Sequence, residues 1–394
     1  MQKMKHIFVV LQCIGLWQPV QWQPGWKTKV YHSYTSFVML TLAISISSQF
    51  IALTMSINDV EEFAANSFML LTMILDNGKA ANILIKRGEI VELTNVLQQD
   101  PCLPKCEPEY AIQRQFDRTV RSVIILCRYP MPCKLILEYG ILTIILYLPQ
   151  RVLPYKAWLP FNCYESLLGY SVVYITQIVT IGTGCAIGVA FDTLLPGLML
   201  QTCAQLNILK QRFYEIQLLL PDNARNLAKE DKSNLLFSTL ESKLLAESVK
   251  HHIAIFKFAK TSNNLFSLMI FLQCAVSTAV LCLSLFRLSK MKLLSPEFIS
   301  FVVYMMVMGT QIFLYCFYGC QVTLESLTVS DAIYKIDWPS FSLNAQRILL
   351  TIMARTLRPI EFTSGNIVTL NLESFNSLIK LSYSAYNVLQ QFQE

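Results

Sequence analysis

The sequence predicts an all-α polytopic membrane protein with seven transmembrane helices, and three observations carry that prediction. Hydrophobic residues make up 54% of the 394 residues, charged residues only 15%, and mean hydropathy is +0.44. A soluble domain carries about 25% charged residues, so this chain cannot cover a globular surface in water. Uncharged apolar runs long enough to cross a ~30 Å hydrocarbon layer recur along it. Its Lys and Arg residues crowd into alternate loops. Together these exclude a cytosolic enzyme, a disordered regulator and a secreted disulfide scaffold. The net charge of +6 reads as basic loops on one membrane face and implies no nucleic-acid partner.

Lys3 and Lys5 precede an apolar stretch, residues 7–16, in the charge order of a signal peptide. No small-residue cleavage site follows, so insertion by the first true span is expected. That span lies at about 34–56, inside the uncharged run 30–58. The second, 63–85, is interrupted by Asp76 and Lys79. The third, 120–148, contains Arg121, Arg128, Pro130, Pro132, Lys134 and Glu138 and is clean only from Tyr139 onward. The fourth, 167–200, holds one charge, Asp192. The fifth and sixth, 261–286 and 298–324, are uncharged. The seventh, 366–391, is more polar than the rest.

Charge orients the spans. Twenty-two Lys and Arg fall before span one and in the loops after spans two, four and six; five fall on the other side, three of them in one loop, Arg287, Lys290 and Lys292. Basic residues collect on the cytoplasmic face, so the N-terminus is expected inside and the C-terminus outside. There is no Asn-x-Ser/Thr sequon to mark topology. The polarity is opposite to that of a G-protein-coupled receptor, and neither an acidic-Arg-Tyr triplet after span three nor an Asn-Pro-x-x-Tyr in span seven is present. Paired broken helices and inverted halves, which would suggest a transporter, do not occur either.

Residues 201–260 are charged and rich in helix formers, with apolar residues recurring at three and four. Spans four and five are expected to continue through them as cytosolic helices, either as an assembly domain or as a solvated hairpin. The chain thus divides into 1–200 (spans one to four, the ligand side), 201–260 (helical extensions) and 261–394 (spans five to seven, with an anchor helix at 340–358 and a pore helix at 366–391).

The last span carries the clearest functional pattern. Asn366, Thr369, Glu373, Asn376, Lys380, Ser384, Asn387 and Gln391 follow one another at intervals of three and four, which is one face of a helix. A polar face in a bilayer needs water or a polar partner. Several copies around an axis could enclose water; alternatively, the stripe is buried against spans five and six.

A second pattern lies in the outer halves of spans two, three, four and six. Phe68, Met69 and Met73, then Tyr139, Ile144 and Tyr147, then Tyr170, Tyr174 and Gln177, then Phe301, Tyr304, Met305 and Met308 suit a pocket for a small apolar ligand, with hydroxyls to orient it. The same residues also fit an interfacial aromatic belt and ordinary core.

Other polar groups receive plainer readings. Asp76 and Lys79 are spaced to neutralise each other. Asp192, before Pro196, is placed at the cytoplasmic interface, and Gly184-x-x-x-Gly188 permits close helix packing. His251-His252 is placed on a solvated helix face. Cys102 and Cys106 have no second pair and no histidine nearby, so no zinc site is expected. No nucleotide loop, dinucleotide fingerprint, zinc-protease motif or nucleophile elbow appears, so neither an enzyme nor a cofactor is expected.

The end of the chain, Pro359-Ile360-Glu361-Phe362-Thr363-Ser364-Gly365 with Leu370, Phe375, Lys380 and Ser382-Tyr383-Ser384-Ala385-Tyr386-Asn387-Val388-Leu389, resembles the C-terminal signature of insect odorant receptors. Glu325-Ser326, Ala332-Ile333-Tyr334 and Trp338, Gly15-Leu16-Trp17-Gln18-Pro19, Leu159-Pro160-Phe161 and Phe191-Asp192-Thr193-Leu194 resemble other segments of that family. Gustatory receptors are related; the Tyr-Ser-x-Tyr pattern favours the odorant branch. The resemblance implies a four-subunit, ligand-gated, non-selective cation channel in the plasma membrane of a sensory neuron dendrite, opened by a small volatile odorant. It implies assembly with the odorant receptor co-receptor, Orco, as a heterotetramer. It also implies a ligand pocket among spans two, three, four and six, and a pore lined by Ser384, Asn387, Val388 and Gln391. Val388 matches a hydrophobic gate; Phe392 stands where the co-receptor has a smaller aliphatic residue.

Overall fold

The computed structural model describes residues 5–19, 22, 25–57, 60–128, 153–219, 231–292, 295–365 and 367–391. Helix α1 (Lys5–Ile14) is part of the fold: Ile7, Phe8 and Leu11 are buried in the main core. Gly15, at φ 90, turns the chain so that Trp17 packs on Phe8 with ring centroids 4.7 Å apart. The Tyr31 hydroxyl accepts from the Trp17 amide at 3.2 Å and donates to the Gln12 carbonyl at 3.0 Å. The N-terminal motif is thereby locked onto α2 (Trp26–Met55). Helix α2 buries one narrow stripe, Tyr31, Val38, Leu42, Ser45 and Gln49, and leaves Phe37, Leu40, Ile44 and Phe50 exposed on its other faces. That is how a helix at the rim of a bundle meets lipid.

Helices α3 (Val60–Ile85), α4 (Arg87–Val96) and α5 (Glu107–Arg128) follow, then three long ones: α6 (Leu167–Leu219, 53 residues), α7 (Asp231–Lys290, 60 residues) and α8 (Pro296–Lys335, 40 residues). At 1.5 Å per residue these run roughly 80, 90 and 60 Å, far beyond a ~30 Å hydrocarbon layer. The expected continuation of spans four and five is therefore observed as unbroken helix, through Pro196. A three-residue 3₁₀ turn, Trp338–Ser340, leads into α9 (Leu343–Thr356), capped by Ser342, whose hydroxyl accepts from the Ala345 amide. Among the described residues, five helices are long and apolar enough to cross a membrane, including α2, most of α3, and the bulk of α6, α7 and α8. Span three from residue 129 to 148 lies outside the described residues.

The seventh span begins later than expected. Two short strands, β1 (Thr363–Ser364) and β2 (Val368–Thr369), pair antiparallel as a hairpin, with Gly365 at φ +59 after β1. Thr369 pairs with Thr363 in the hairpin and does not belong to a helical stripe. Asn371 then caps α10 (Leu372–Gln391), its Oδ1 accepting from the Ser374 amide at 2.7 Å. Twenty residues of helix still span about 30 Å.

At the basic end of α6, Arg212 is buried against Glu109. Its Nε donates to Glu109 Oε1 at 2.8 Å and its Nη2 to Oε2 at 3.1 Å; the carbonyls of Pro101 and Leu103 accept from the same guanidinium. His251 completes the network and is fully buried, not solvated as its sequence context suggests. Its Nδ1 lies 3.0 Å from Arg212 Nη1 and its Nε2 2.8 Å from Gln205 Oε1. Arg212 can only donate, so Nδ1 accepts and the proton sits on Nε2. Burial first, and the adjacent Arg212 charge second, hold this imidazole neutral well below the usual histidine range.

A pH dependence follows. The unfolded histidine takes up a proton near pH 6.5, whereas the folded one refuses it, so the stability contributed by neutral His251 is present above that pH and is lost as pH falls below it. Stability against thermal unfolding in detergent is expected to fall by up to about 1.4 kcal/mol per pH unit below 6.5. His251→Gln is expected to flatten that slope; an equally steep slope in the variant would assign it to other groups.

Candidate functional site

The residues expected to hold a ligand fall into two buried groups and a remainder. On α3 and α8, Phe68 packs on Phe301 (ring centroids 5.4 Å) and on Tyr304 (5.6 Å). The Tyr304 hydroxyl lies 2.7 Å from Thr72 Oγ1, a partner the sequence reading missed, although Thr72 lies one helical turn from Phe68. Met308 is buried below Tyr304, and Met305 is partly buried against the core. Met73 is buried and reaches α6, where a Cβ on Gly184 would stand 3.4 Å from its Sδ.

The second group lies on α6. Tyr170 and Tyr174 are buried with ring centroids 5.8 Å apart, and the Tyr174 hydroxyl has no hydrogen-bond partner among the described residues. Gln177 is tied to the preceding loop, its amide accepting from the Tyr155 amide at 3.4 Å and donating to the Tyr155 carbonyl at 3.3 Å. The Tyr155 hydroxyl in turn lies 2.6 Å from Ser45 on α2. This loop therefore stitches α2 to α6 over the end that carries Tyr174. Met69 is half-buried on α3; Tyr139, Ile144 and Tyr147 lie outside the described residues.

Between these helices sits a buried charged cluster. Lys79 bonds Asp192 Oδ1 at 2.8 Å and stands 3.9 Å from Asp76, so its main partner is not its i−3 neighbour. Asp192 is buried within the chain, and the Tyr315 hydroxyl also donates to it, at 2.5 Å. The glycine stripe of α6 admits Asp76: a Cβ on Gly188 would stand 3.1 Å from its Oδ1.

Helix α10 settles on α7 and α8 through one face. Phe375 and Leu378 pack against the core, Ser382 is buried, and Phe375 meets Phe313 on α8 edge-on at 5.6 Å. Glu373, Asn376, Lys380, Ser384 and Gln391 are exposed, Asn387 is half-buried, and Val388 is 51% exposed. Among the described residues, no side-chain hydrogen bond joins this stripe to α7 or α8. Of the two readings left open by the sequence, burial of the stripe against the chain's own helices is not what the fold adopts.

The root of α10 is fastened firmly. Asn263 on α7 accepts from the Thr363 amide at 2.8 Å and donates to its hydroxyl at 3.0 Å; the Gly365 amide donates to the Ser267 carbonyl at 3.0 Å. On α8, Gly319 lies so close to Leu370 that a Cβ would stand 2.6 Å from the Leu370 carbonyl oxygen. Gly319→Val is expected to displace the hairpin, lowering the midpoint of thermal unfolding by several degrees. An unchanged melting curve would show that this contact is dispensable.

Near the basic end, the donor atoms of Cys106, Glu109 and Glu215 lie within 4.8 Å of one another. They are already committed: Glu109 to Arg212, and the Cys106 thiol to Glu215 Oε1 at 2.8 Å. Burial and that carboxylate push the thiol up to about 11, so it remains a protonated donor.

A family model described as "7tm Odorant receptor" matches residues 59–383. Odorant receptor Or1 of Anopheles gambiae is 25% identical over 62% of this chain and 61% of its own length. Odorant receptor Or2 of the same species is 28% identical over 62% and 63%. The matched region thus spans just under two thirds of those receptors. Odorant receptor 13a of Drosophila melanogaster is 20% identical over 98% of this chain and 96% of its own length. Among solved structures, the olfactory receptor OR5 from Machilis hrabei in complex with eugenol superposes with a TM-score of 0.80 at 18% identity, covering 98% of this chain and 97% of that one.

Proposed function

The chain belongs to the insect odorant receptor family, and from that premise we propose that it is the odorant-binding subunit of a ligand-gated, non-selective cation channel. Its relatives are receptors, not enzymes. The observation that carries the channel reading is the outward polar face of α10, Glu373, Asn376, Lys380 and Ser384, which none of the chain's own described helices covers. In a bilayer such a face needs water. A lone helix encloses none, but four around an axis do, and Ser384, Asn387, Val388 and Gln391 then line the conduit.

In this reading the basic end, with the extensions of α6, α7 and α8, lies in the cytoplasm and anchors subunits together. The C-terminus is extracellular. The partner is the odorant receptor co-receptor in a heterotetramer at the plasma membrane. A small volatile molecule binds among Phe68, Met69, Met73, Phe301, Tyr304, Met305 and Met308, with Tyr170, Tyr174 and Gln177 and the span-three residues Tyr139, Ile144 and Tyr147 completing the walls. Its better fit to the open state shifts the equilibrium toward opening.

Expression with and without the co-receptor, against a panel of chemically diverse volatiles, tests this. Cation current that needs both chains and a volatile supports it. Current from this chain alone would favour a gustatory-type channel. Absence of current from any volatile, with both chains at the cell surface, would overturn the reading.

A further inference from the structure

The exposed side of α5 carries basic groups that the chain itself does not use. Helix α5 packs along α6 and buries Gln113, Val120, Val123 and Ile124. A different side exposes Arg114, Arg118 and Arg121, spaced four and three apart on one helical face. Arg114 meets Glu107 at the start of the same helix. Among the described residues, Arg118 and Arg121 have no carboxylate partner.

Cross-helix contacts fix the depth of this face. Met73 abuts Gly184, Asp76 abuts Gly188 and Lys79 bonds Asp192, so α3 and α6 run side by side in the same direction. Glu109 meets Arg212 and Asp117 accepts from Gln201 at 3.0 Å, so α5 runs against α6. At about 1.5 Å per residue from these pairs, Arg118 and Arg121 lie within one helical turn of the level of Ile85, where α3 ends. There α3 passes from Ile85, 81% exposed, to Lys86 and Arg87. On α5 the same change takes one turn, from Arg121 to Ile125, which is 54% exposed on the arginine face. Exposed apolar groups on one side of this level and cations on the other mark the plane where acyl chains give way to headgroups.

We propose that Arg118 and Arg121, flanked by Arg114, bind the headgroup of a polyanionic phospholipid, a phosphoinositide, in the leaflet against which α5 lies. This rests on the reading that puts the basic end in the cytoplasm. A guanidinium holds a phosphate through two parallel N–H···O bonds, a geometry a lysine does not reproduce. The two arginines stand one turn apart, close enough to serve one headgroup. Ile125 then lies against the acyl chains, a contact that a free phosphate compound would not make.

Binding is measured on the purified full chain in detergent, by titration with a short-chain phosphatidylinositol bisphosphate, with inositol trisphosphate, and with a short-chain phosphatidylcholine. The phosphoinositide is expected to bind at least about tenfold more tightly than inositol trisphosphate, because its buried methylenes add to the charge attraction, and the phosphatidylcholine more weakly than either. In Arg118→Gln/Arg121→Gln the phosphoinositide affinity is expected to fall roughly fivefold per arginine lost. Arg118→Lys/Arg121→Lys is expected to fall between that variant and the unsubstituted chain. Lys290→Gln/Lys292→Gln removes as much exposed charge at the far end of α7 and is expected to leave the affinity unaltered. Unaltered affinity in the glutamine variant, an equal loss in the Lys290/Lys292 variant, or equal binding of inositol trisphosphate overturns the proposal. If the glutamine variant fails to fold, the lysine variant decides: it keeps both charges, and unaltered affinity overturns the proposal. Orientation is tested separately, by labelling Ser122→Cys on intact cells with a membrane-impermeant thiol reagent. Labelling above that of the unsubstituted chain overturns the cytoplasmic placement and the proposal with it; protection combined with absent lipid binding overturns the proposal and leaves the orientation standing.

Discussion

Replacing Arg212 with methionine is expected to destabilise the protein by about 3–5 kcal/mol, enough to remove most of it from the cell surface. The cause is less the lost attraction than the group left behind. Glu109 is 1% exposed, and both its oxygens are turned to the guanidinium. Without Arg212 it keeps, among the described residues, one donor, the Lys105 amide at 2.7 Å, for a buried full charge. The Pro101 and Leu103 carbonyls lose their donor as well. Residues 101–106 lead into α5, whose first turn holds Glu109 and which packs along α6, so loosening them frees the start of a helix rather than one side chain. Adding Glu109→Leu to Arg212→Met should recover a large part of the loss, since replacing both members of a buried pair removes the orphaned charge. Surface labelling and thermal unfolding of the single and double variants measure this. A double variant as unstable as the single one would locate the energy in the two carbonyls instead.

The second large effect is on current. Replacing Val388 with serine is expected to raise ligand-independent cation current several-fold. Val388 is half-exposed near the end of α10, beside the polar positions Ser384 and Gln391. In the proposed assembly, a ring of valines at this level closes the conduit by excluding water, and hydroxyls would wet it. Val388→Leu preserves the apolar ring and should stay closed. Current is normalised to labelled surface protein, so trafficking does not enter. Unaltered basal current in Val388→Ser would move the gate elsewhere on the helix.

Much of this molecule is legible one helix at a time. Hydropathy located the long helices, and intervals of three and four located the polar face of α10, because both signals are local. The hairpin before α10 is hidden in the sequence because Thr369 falls at a helical interval from Glu373 while pairing with Thr363, and periodicity is the same for both. The buried cluster is illegible for another reason. Lys79 and Asp192 are 113 positions apart. Nothing beside Asp192 in the sequence announces a cation, and its nearness to Pro196 points only to the cytoplasmic interface. His251 repeats the lesson: next to Lys250 and His252 it looks solvated, and only the packing of α6, with Gln205 and Arg212, against it makes it a neutral, fully buried group. Of the aromatic and methionine positions, Phe68, Phe301 and Tyr304 meet one another, and Tyr170 and Tyr174 form a separate pair. Thr72, Gly184 and Asp76, which connect them to the helices around them, became visible only in three dimensions.

The fastening of α10 at one end has a mechanical consequence. Its root is clamped by the hairpin to Asn263, Ser267 and Gly319, whereas its far end carries exposed Val388 and Gln391. A cantilever bends little at its support and most at its tip. A small tilt at Phe375, arriving through Phe313, would thus be magnified along the beam. Spectroscopic labels placed at Leu372 and at Gln390 should report near-stillness and the widest excursion, respectively.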